Sequence, residues 1–124
     1  MHPILDIADL GHRREAAEAA AEGSALFYAF GNSCALAARS DLQSLRAMNA
    51  LKGRPLDQVG SVTTTPERTS HVFDWDRVTI GWSALVAVMA DLHALGPSGF
   101  RGPAAASIPD HLTVTDAGVR TVCS

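Results

Sequence analysis

Apolar residues recur every three or four positions in two segments of the chain, Asp41–Leu51 and Trp82–Leu95. This spacing places them on one side of an α-helix, the usual arrangement for a helix that packs on a core. Gly53 and Pro55 follow the first segment and are expected to end its helix. The pattern predicts two amphipathic helices, and the apolar side of Trp82–Leu95 is expected to belong to the core.

A third helix is predicted over His12–Glu22, which is rich in Ala, Glu and Arg and precedes Gly23, a residue that commonly ends helices. Ser40 is followed three positions later by Gln43, which is the spacing of a capping box. Ser40 is therefore the expected N-cap of the helix over Asp41–Leu51.

The remaining apolar and β-branched runs are short, as in strands. Ser24–Phe30 lies between Gly23 and Gly31 and predicts a buried strand, with Cys34–Ala38 continuing as extended chain. Further extended pieces are predicted at Val59–Thr65, Ala104–Ile108 and Val119–Val122, and a loop at Gly96–Pro103. Helices alternate with strands, which is typical of an α/β fold.

The bulk composition is that of one globular domain. The chain has 124 residues, of which 47% are hydrophobic and 19% charged, and its formal net charge is −3. A broadly basic surface for nucleic acid is therefore not indicated, although a local basic patch is compatible with these numbers. We expect residues 1–124 to form a single domain.

Features of location point to the cytoplasm. Cys34 and Cys123 lie far apart without metal-ligand spacing, as expected of intracellular thiols. Met1–Leu10 contains two aspartates and no unbroken apolar run, which disfavours a secretory signal. The apolar stretch Trp82–Ala90 is too short to span a bilayer. We expect a cytoplasmic protein without membrane contact.

The clearest candidate chemistry lies in Lys52-Gly53-Arg54-Pro55, which we call the basic turn. Lys offers a compact charge for phosphate, and Arg offers a planar fork for phosphate or carboxylate. A simpler explanation is that cations are favoured at helix C-termini in any case. In an open α/β sheet, ligands bind beside strand and helix ends, so we expect Lys52 and Arg54 to share a cleft with Gly31–Ser33.

The order of these features resembles the YrdC/YciO family, the threonylcarbamoyl-adenylate synthases. That family has a strand ending in Pro-Thr-(Asp/Glu)-Thr, a helix, a Lys-Xaa-Arg-Pro motif and a strand beginning near Pro-Leu. The resemblance covers about Ala19–Thr65 and continues weakly through Gly99–Pro103 and Ile108–His111. It implies a twisted mixed sheet with flanking helices.

The resemblance also implies a function. The family binds ATP, L-threonine and bicarbonate to make threonylcarbamoyl-adenylate for tRNA modification, and some members bind double-stranded RNA. By position, Lys52 and Arg54 correspond to the cations that contact the nucleotide phosphates. Asn32 and Ser33 fall at substrate-binding positions. Thr63 could add a hydroxyl to the substrate site, although strand propensity explains its presence equally well.

Departures from the family pattern make catalysis doubtful. The family completes its nucleotide site with Ser-Xaa-Asn, a motif absent from this sequence. Gly31 stands where the family has its first Thr, Phe30 replaces the Pro, and Ser107 falls where an Arg is usual. The chain is also shorter than the family's domain. We expect a truncated or degenerate member with an incomplete fold, and we assign no catalytic residue.

Other chemistries find less support. The five histidines share no ligand spacing, so no metal motif is present. Asp74 and Asp76 are best explained as solvated side chains. The alternative to a nucleotide-binding domain is a non-catalytic interaction domain, a homodimer or a complex with a protein partner. In that case the side of Trp82–Leu95 would be a partner surface rather than core.

Overall fold

Internal contacts divide the chain into two units, one ending at Gln58 and the other running from Val59 to Ser124. The computed structural model describes residues 2–30 and 33–124. The first unit contains α1 (Leu10–Ala21), β1 (Leu26–Phe30), β2 (Ser33–Ala37) and α2 (Leu42–Leu51). The second contains α3 (Trp82–Leu95), β3 (Arg101–Pro103), β4 (Val114–Asp116), β5 (Val119–Cys123) and three short 3₁₀-helices (Pro66–His71, Trp75–Arg77 and Asp110–Leu112).

Helices and two small sheets give a mixed α/β structure, which confirms the predicted class. β1 and β2 form an antiparallel hairpin in the first unit. The second unit has a three-stranded antiparallel sheet in the order β3-β5-β4. Every strand pair among the described residues is antiparallel. The mixed sheet that the resemblance implies would also contain a parallel pair, which requires a long crossover connection.

The three long helices lie where the sequence predicts them, but their caps differ in detail. Asp9 caps α1 by accepting from the backbone N–H of His12. Asp41, not Ser40, is the N-cap of α2, so the predicted capping box is wrong. The Asp41 carboxylate accepts from both the N–H and the hydroxyl of Ser44, at 2.9 and 2.8 Å. A carboxylate accepts two such bonds more strongly than a hydroxyl would.

The strand predictions are correct in place for the hairpin and for β5, and wrong elsewhere. β1 is not the buried strand that was expected, because its Phe27 is 73% exposed. Val59–Thr65 forms no strand. Among the described residues, it makes a single backbone hydrogen bond to a strand, from the Val62 N–H to the Cys123 carbonyl of β5 at 2.8 Å. β-branched residues favour extended backbone, but a strand also requires a continuous partner. Ala104–Ile108 is also not a strand, because after an isolated bridge at Ala104 the chain turns.

Two short strands were not expected. The predicted loop Gly96–Pro103 ends in β3, which pairs with the end of β5. β4 has no apolar run, and it is held by a tight hairpin with β5 in which Ala117 and Gly118 form the turn, with φ of 48° and 78°. Positive φ at both central residues is the signature of a type I′ hairpin turn.

The buried core is small, and α3 contributes no buried residue to it. The core cluster of the second unit is Val72, Phe73, Ala104 and Val122. The prediction that the apolar side of Trp82–Leu95 is core is therefore wrong, although the helix itself is confirmed. Only part of α3 is half-buried, and Val88 and Leu95 are 54% and 86% exposed. The apolar side of a helix is normally covered.

Candidate functional site

The basic turn is the C-terminal end of α2, and its backbone forms a Schellman motif. Lys52 is the C-cap, and Gly53 follows with φ 63°. The Gly53 N–H donates to the Ala50 carbonyl at 3.0 Å, and the Arg54 N–H donates to the Asn49 carbonyl at 2.9 Å. Glycine is favoured where φ is positive, and Pro55 cannot continue the helix. Helix termination alone therefore accounts for the Gly and Pro of the motif.

Asn49 fixes the chain that leaves the turn. Its side chain is buried, at 2% exposed, and its Nδ2 donates to the carbonyls of Leu56 and Gln58 at 2.9 and 2.8 Å. Both bonds run from a rigid helix to the segment just after Arg54. The basic turn is thus held from its two sides, by the Schellman bonds before it and by Asn49 after it.

The two cations of the turn have different surroundings. The Lys52 Nζ donates to the Leu36 carbonyl of β2 at 3.5 Å, a long contact. The Arg54 side chain is exposed, and nothing in the described part of the chain bonds or pairs with its guanidinium. The nearby carboxylate of Asp57 is already engaged by Arg46, with Nε–Oδ1 of 2.8 Å. Arg54 is therefore a donor fork without an internal acceptor.

Of the predicted substrate-binding residues, Ser33 belongs to the first unit, Thr63 to the second, and Asn32 is not among the described residues. Ser33 begins β2 and is exposed. Lys52 contacts the same strand three residues further on, at Leu36, which is about 10 Å along a strand. Asn32 and Gly31 lie outside the described residues. Thr63 is an exposed residue of the second unit, in the segment that forms no strand.

A groove in the first unit has a different lining from the predicted cleft. Its volume is ≈ 490 Å³, and it runs along α2 between Arg39 and Asp41 at one end and Met48 and Leu51 at the other. Lys52, Arg54 and Ser33 do not line it. Arg39 there is paired with Asp41, at 3.3 Å, so the groove offers no free cation for a phosphate.

Two pKa values are displaced from their ordinary range. The Ser44 N–H and hydroxyl, with Arg39, lower the pKa of Asp41. The backbone N–H of Glu67, with the Thr65 hydroxyl and the charge of His93, lowers the pKa of Glu67. Glu67 is exposed and Asp41 is half-buried, and both carboxylates lie at the starts of helical segments. Their shifts therefore reflect helix capping rather than a catalytic environment.

The segment Ile108–His111, which weakly resembles a later part of the family, is bonded by an arginine of β5. Arg120 of β5 donates to the Ile108 carbonyl and pairs with Asp110, with Nε–Oδ1 of 2.9 Å. Ser107, where the family usually has an Arg, is exposed. A guanidinium thus lies against this segment, and its bonds hold the loop.

Sequence reasoning missed Asn49 and the Arg46–Asp57 pair, although the sequence holds a signal for Asn49. Asn49 follows Leu45 by four residues and Leu42 by seven, so it falls on the apolar side of α2. A polar residue at a core position needs hydrogen-bond partners. That requirement predicts a neighbouring loop with free carbonyls, which here is Leu56–Gln58.

Residues 2–30 and 33–124 contain neither a metal-binding group nor a candidate membrane-spanning helix. No three His, Cys, Asp or Glu side chains there come together as a metal-binding group. No helix in these ranges has the length and apolar character needed to cross a membrane.

Comparison of the chain with protein-family models, curated proteins and solved structures gave no match.

Proposed function

We propose that the basic turn binds a phosphate group of ATP or RNA, in a domain related to the threonylcarbamoyl-adenylate synthases. The observation that carries this proposal is the exposed Arg54 guanidinium, which has no acceptor among the described residues and stands on a turn fixed by Asn49. A donor that is already held in place loses little entropy when it binds.

The two cations suit phosphate in complementary ways. Arg54 can donate two parallel bonds to phosphate oxygens, while Lys52 supplies a point charge. The Lys52 contact with the Leu36 carbonyl is long and exposed, so exchanging it for a phosphate loses little. Hydrogen bonds to charged groups contribute about 1.5–3 kcal/mol each. Two of them support a dissociation constant on the order of a millimolar, which salt would weaken.

Catalysis is not part of this proposal. A triphosphate in a reactive geometry needs several convergent donors, and losing one can lower a rate by roughly a hundredfold or more. The Ser-Xaa-Asn motif is absent, and Gly31 carries no hydroxyl. We expect the chain to form no detectable threonylcarbamoyl-adenylate from ATP, threonine and bicarbonate. Turnover comparable to a complete family member would overturn this expectation.

A thermal-shift titration tests the proposal. A ligand that binds the folded state raises the melting temperature with its concentration. We expect a rise with ATP or with a short RNA duplex, and the arm that responds identifies the source of the phosphate. Lys52→Ala and Arg54→Ala should abolish the rise, while Arg14→Ala, an exposed cation of α1, should leave it unchanged. Equal responses of the three variants would contradict the proposal.

A second candidate function is a non-catalytic interaction domain that associates with a second copy of itself. The observation that favours it is uncovered apolar surface. α3 has no buried residue, and Phe27 of the two-stranded hairpin is 73% exposed. Isolated two-stranded hairpins are marginally stable in water, and apolar patches of this kind favour association.

Sedimentation separates the two candidates. Self-association should appear as an average mass that rises with protein concentration from micromolar upward, in the absence of ATP or RNA. A single monomeric species throughout this range would exclude the second candidate while leaving the first untouched.

A further inference from the structure

We propose that β1 pairs antiparallel with β1 of a second copy, with Tyr28 on the two-fold axis, to make a four-stranded sheet in the order β2-β1-β1-β2. This inference rests on the self-association candidate and specifies its interface. Phosphate binding at the basic turn does not depend on it.

The hairpin register determines which backbone groups of β1 face outward. Phe30 pairs with Ser33, Tyr28 with Ala35 and Leu26 with Ala37, and two residues separate the strands. In a hairpin of this loop length the closing pair is hydrogen-bonded, and hydrogen-bonded pairs alternate with non-hydrogen-bonded ones. Phe27 and Ala29 therefore direct their N–H and carbonyl groups away from β2.

These outward groups form an open edge. The sheet contains only β1 and β2 among the described residues. No backbone or side-chain partner outside the hairpin bonds to Phe27 or Ala29 in that part of the chain. β1 and the two residues before it, Ser24–Phe30, contain no charge and no proline. Edge strands of monomeric proteins usually carry such residues, because they discourage pairing.

The other edge of the hairpin, on β2, carries a lysine. Leu36 is opposite Phe27, so its carbonyl faces outward from β2, and the Lys52 ammonium donates to it at 3.5 Å. A lysine is among the residues that protect strand edges. Pairing is thereby favoured at β1, and a dimer formed there presents two β2 edges that each carry this lysine. The association closes at two copies instead of continuing as a fibre.

β1 is complementary to itself when Tyr28 lies on the axis. Phe27 of one copy is then opposite Ala29 of the other, and all four outward N–H and carbonyl groups of Phe27 and Ala29 in each copy find partners. The large exposed Phe27 side chain also covers the small exposed Ala29 of the partner on the same face. A centre on Phe27 or on Ala29 would instead pair the other of these two residues with a position beyond the ends of β1.

A cysteine scan tests this register. In a Cys34→Ser, Cys123→Ser background, single cysteines replace Phe27, Tyr28 or Ala29, and the protein is oxidised mildly at a concentration where it self-associates. Residues on the axis have Cα atoms about 4.5 Å apart, within disulfide range. Diagonal positions are about 7–8 Å apart, which is too far. We expect Tyr28→Cys to cross-link and the other two single variants not to.

A second measurement leaves Tyr28 in place. Phe27→Cys mixed with Ala29→Cys should cross-link into the heterodimer, because these residues face each other across the axis at about 5.5 Å. Phe27→Lys should return the native chain to monomer in sedimentation. Leu51→Lys, at an equally exposed leucine of the same unit, should not.

The outcomes separate the inference from the candidate on which it rests. A dimer whose cross-links form at Phe27 or Ala29 alone, or whose mass is insensitive to Phe27→Lys, overturns the β1 interface while self-association stands. A monomer at every concentration overturns both.

Discussion

A buried amide and a glycine of positive φ together fix the conformation of the candidate site. Helix periodicity places Asn49 on the apolar side of α2 and says nothing of its hydrogen bonds. Its side chain nevertheless makes two bonds to the segment after the basic turn. Lys52 and Arg54 owe their placement to it and to the positive φ of Gly53. The placement of the two cations therefore depends on residues other than the cations themselves.

Asn49→Ala should destabilise the first unit. It removes two side-chain hydrogen bonds and leaves two carbonyls without their donor, which costs about 2–3 kcal/mol of unfolding free energy. Urea unfolding followed by far-ultraviolet circular dichroism measures this. Gln43→Ala, at an exposed position of the same helix, is the matched control and should change little. Equal effects of the two substitutions would show that Asn49 has no special part.

The β4–β5 turn contains an alanine in a conformation that favours glycine. Ala117 has φ 48°, and left-handed backbone costs a residue with a Cβ roughly 1 kcal/mol. Ala117→Gly should therefore raise the melting temperature, and Gly118→Ala, at φ 78°, should lower it. A stabilising Gly118→Ala would contradict this assignment of the turn.

At the scale of elements, the sequence identifies those whose stability is local. α2 and α3 carry apolar periodicity, α1 has a helix-favouring composition that ends before Gly23, and the hairpin strand β1 lies between Gly23 and Gly31. Val59–Thr65 fails because β-branched residues favour extension without supplying a partner. β4 could not be foreseen, because it exists through its turn and its pairing with β5. The N-cap of α2 is Asp41, one residue after the predicted Ser40, because the carboxylate accepts the capping bonds in place of the hydroxyl.

The cap of α2 predicts a pH dependence. Ser44 and Arg39 lower the pKa of Asp41 in the folded state. The carboxylate therefore stabilises the fold above its ordinary pKa of 3.8, and this contribution is lost as the pH falls through the lower folded value. Asp41→Asn should flatten the part of the acid-unfolding profile between these values. An unchanged profile would show that the cap is not populated in solution.

At the scale of the whole molecule, the two units differ in what the sequence reveals. The candidate site lies entirely in the first, where a local motif marks it. The core of the second comes from residues far apart in sequence, Val72 and Phe73 with Ala104 and Val122, and no short pattern identifies it. The exposed side of α3 has the periodicity of a core helix, so periodicity alone could not distinguish a covered helix from an uncovered one.

The core of the second unit can be tested by tryptophan fluorescence, since Trp75 and Trp82 both belong to this unit. Val122 is 2% exposed, and Val88 of α3 is 54% exposed. Val122→Ala should lower the tryptophan-reported stability by about 2 kcal/mol, from two lost methyl groups and the resulting cavity. Val88→Ala should leave it almost unchanged. Equal losses would place α3 in the core after all.

Phosphate binding at the basic turn is the central claim, and a nuclear magnetic resonance titration of the ¹⁵N-labelled chain with ATP tests it most directly. We predict saturable shifts of the Gly53 and Arg54 amides and of the Arg54 Nε–H, with the Nε–H of exposed Arg14 unmoved, and loss of these shifts in high salt. Shifts of equal size at Arg54 and Arg14, or none at Arg54, would contradict the claim.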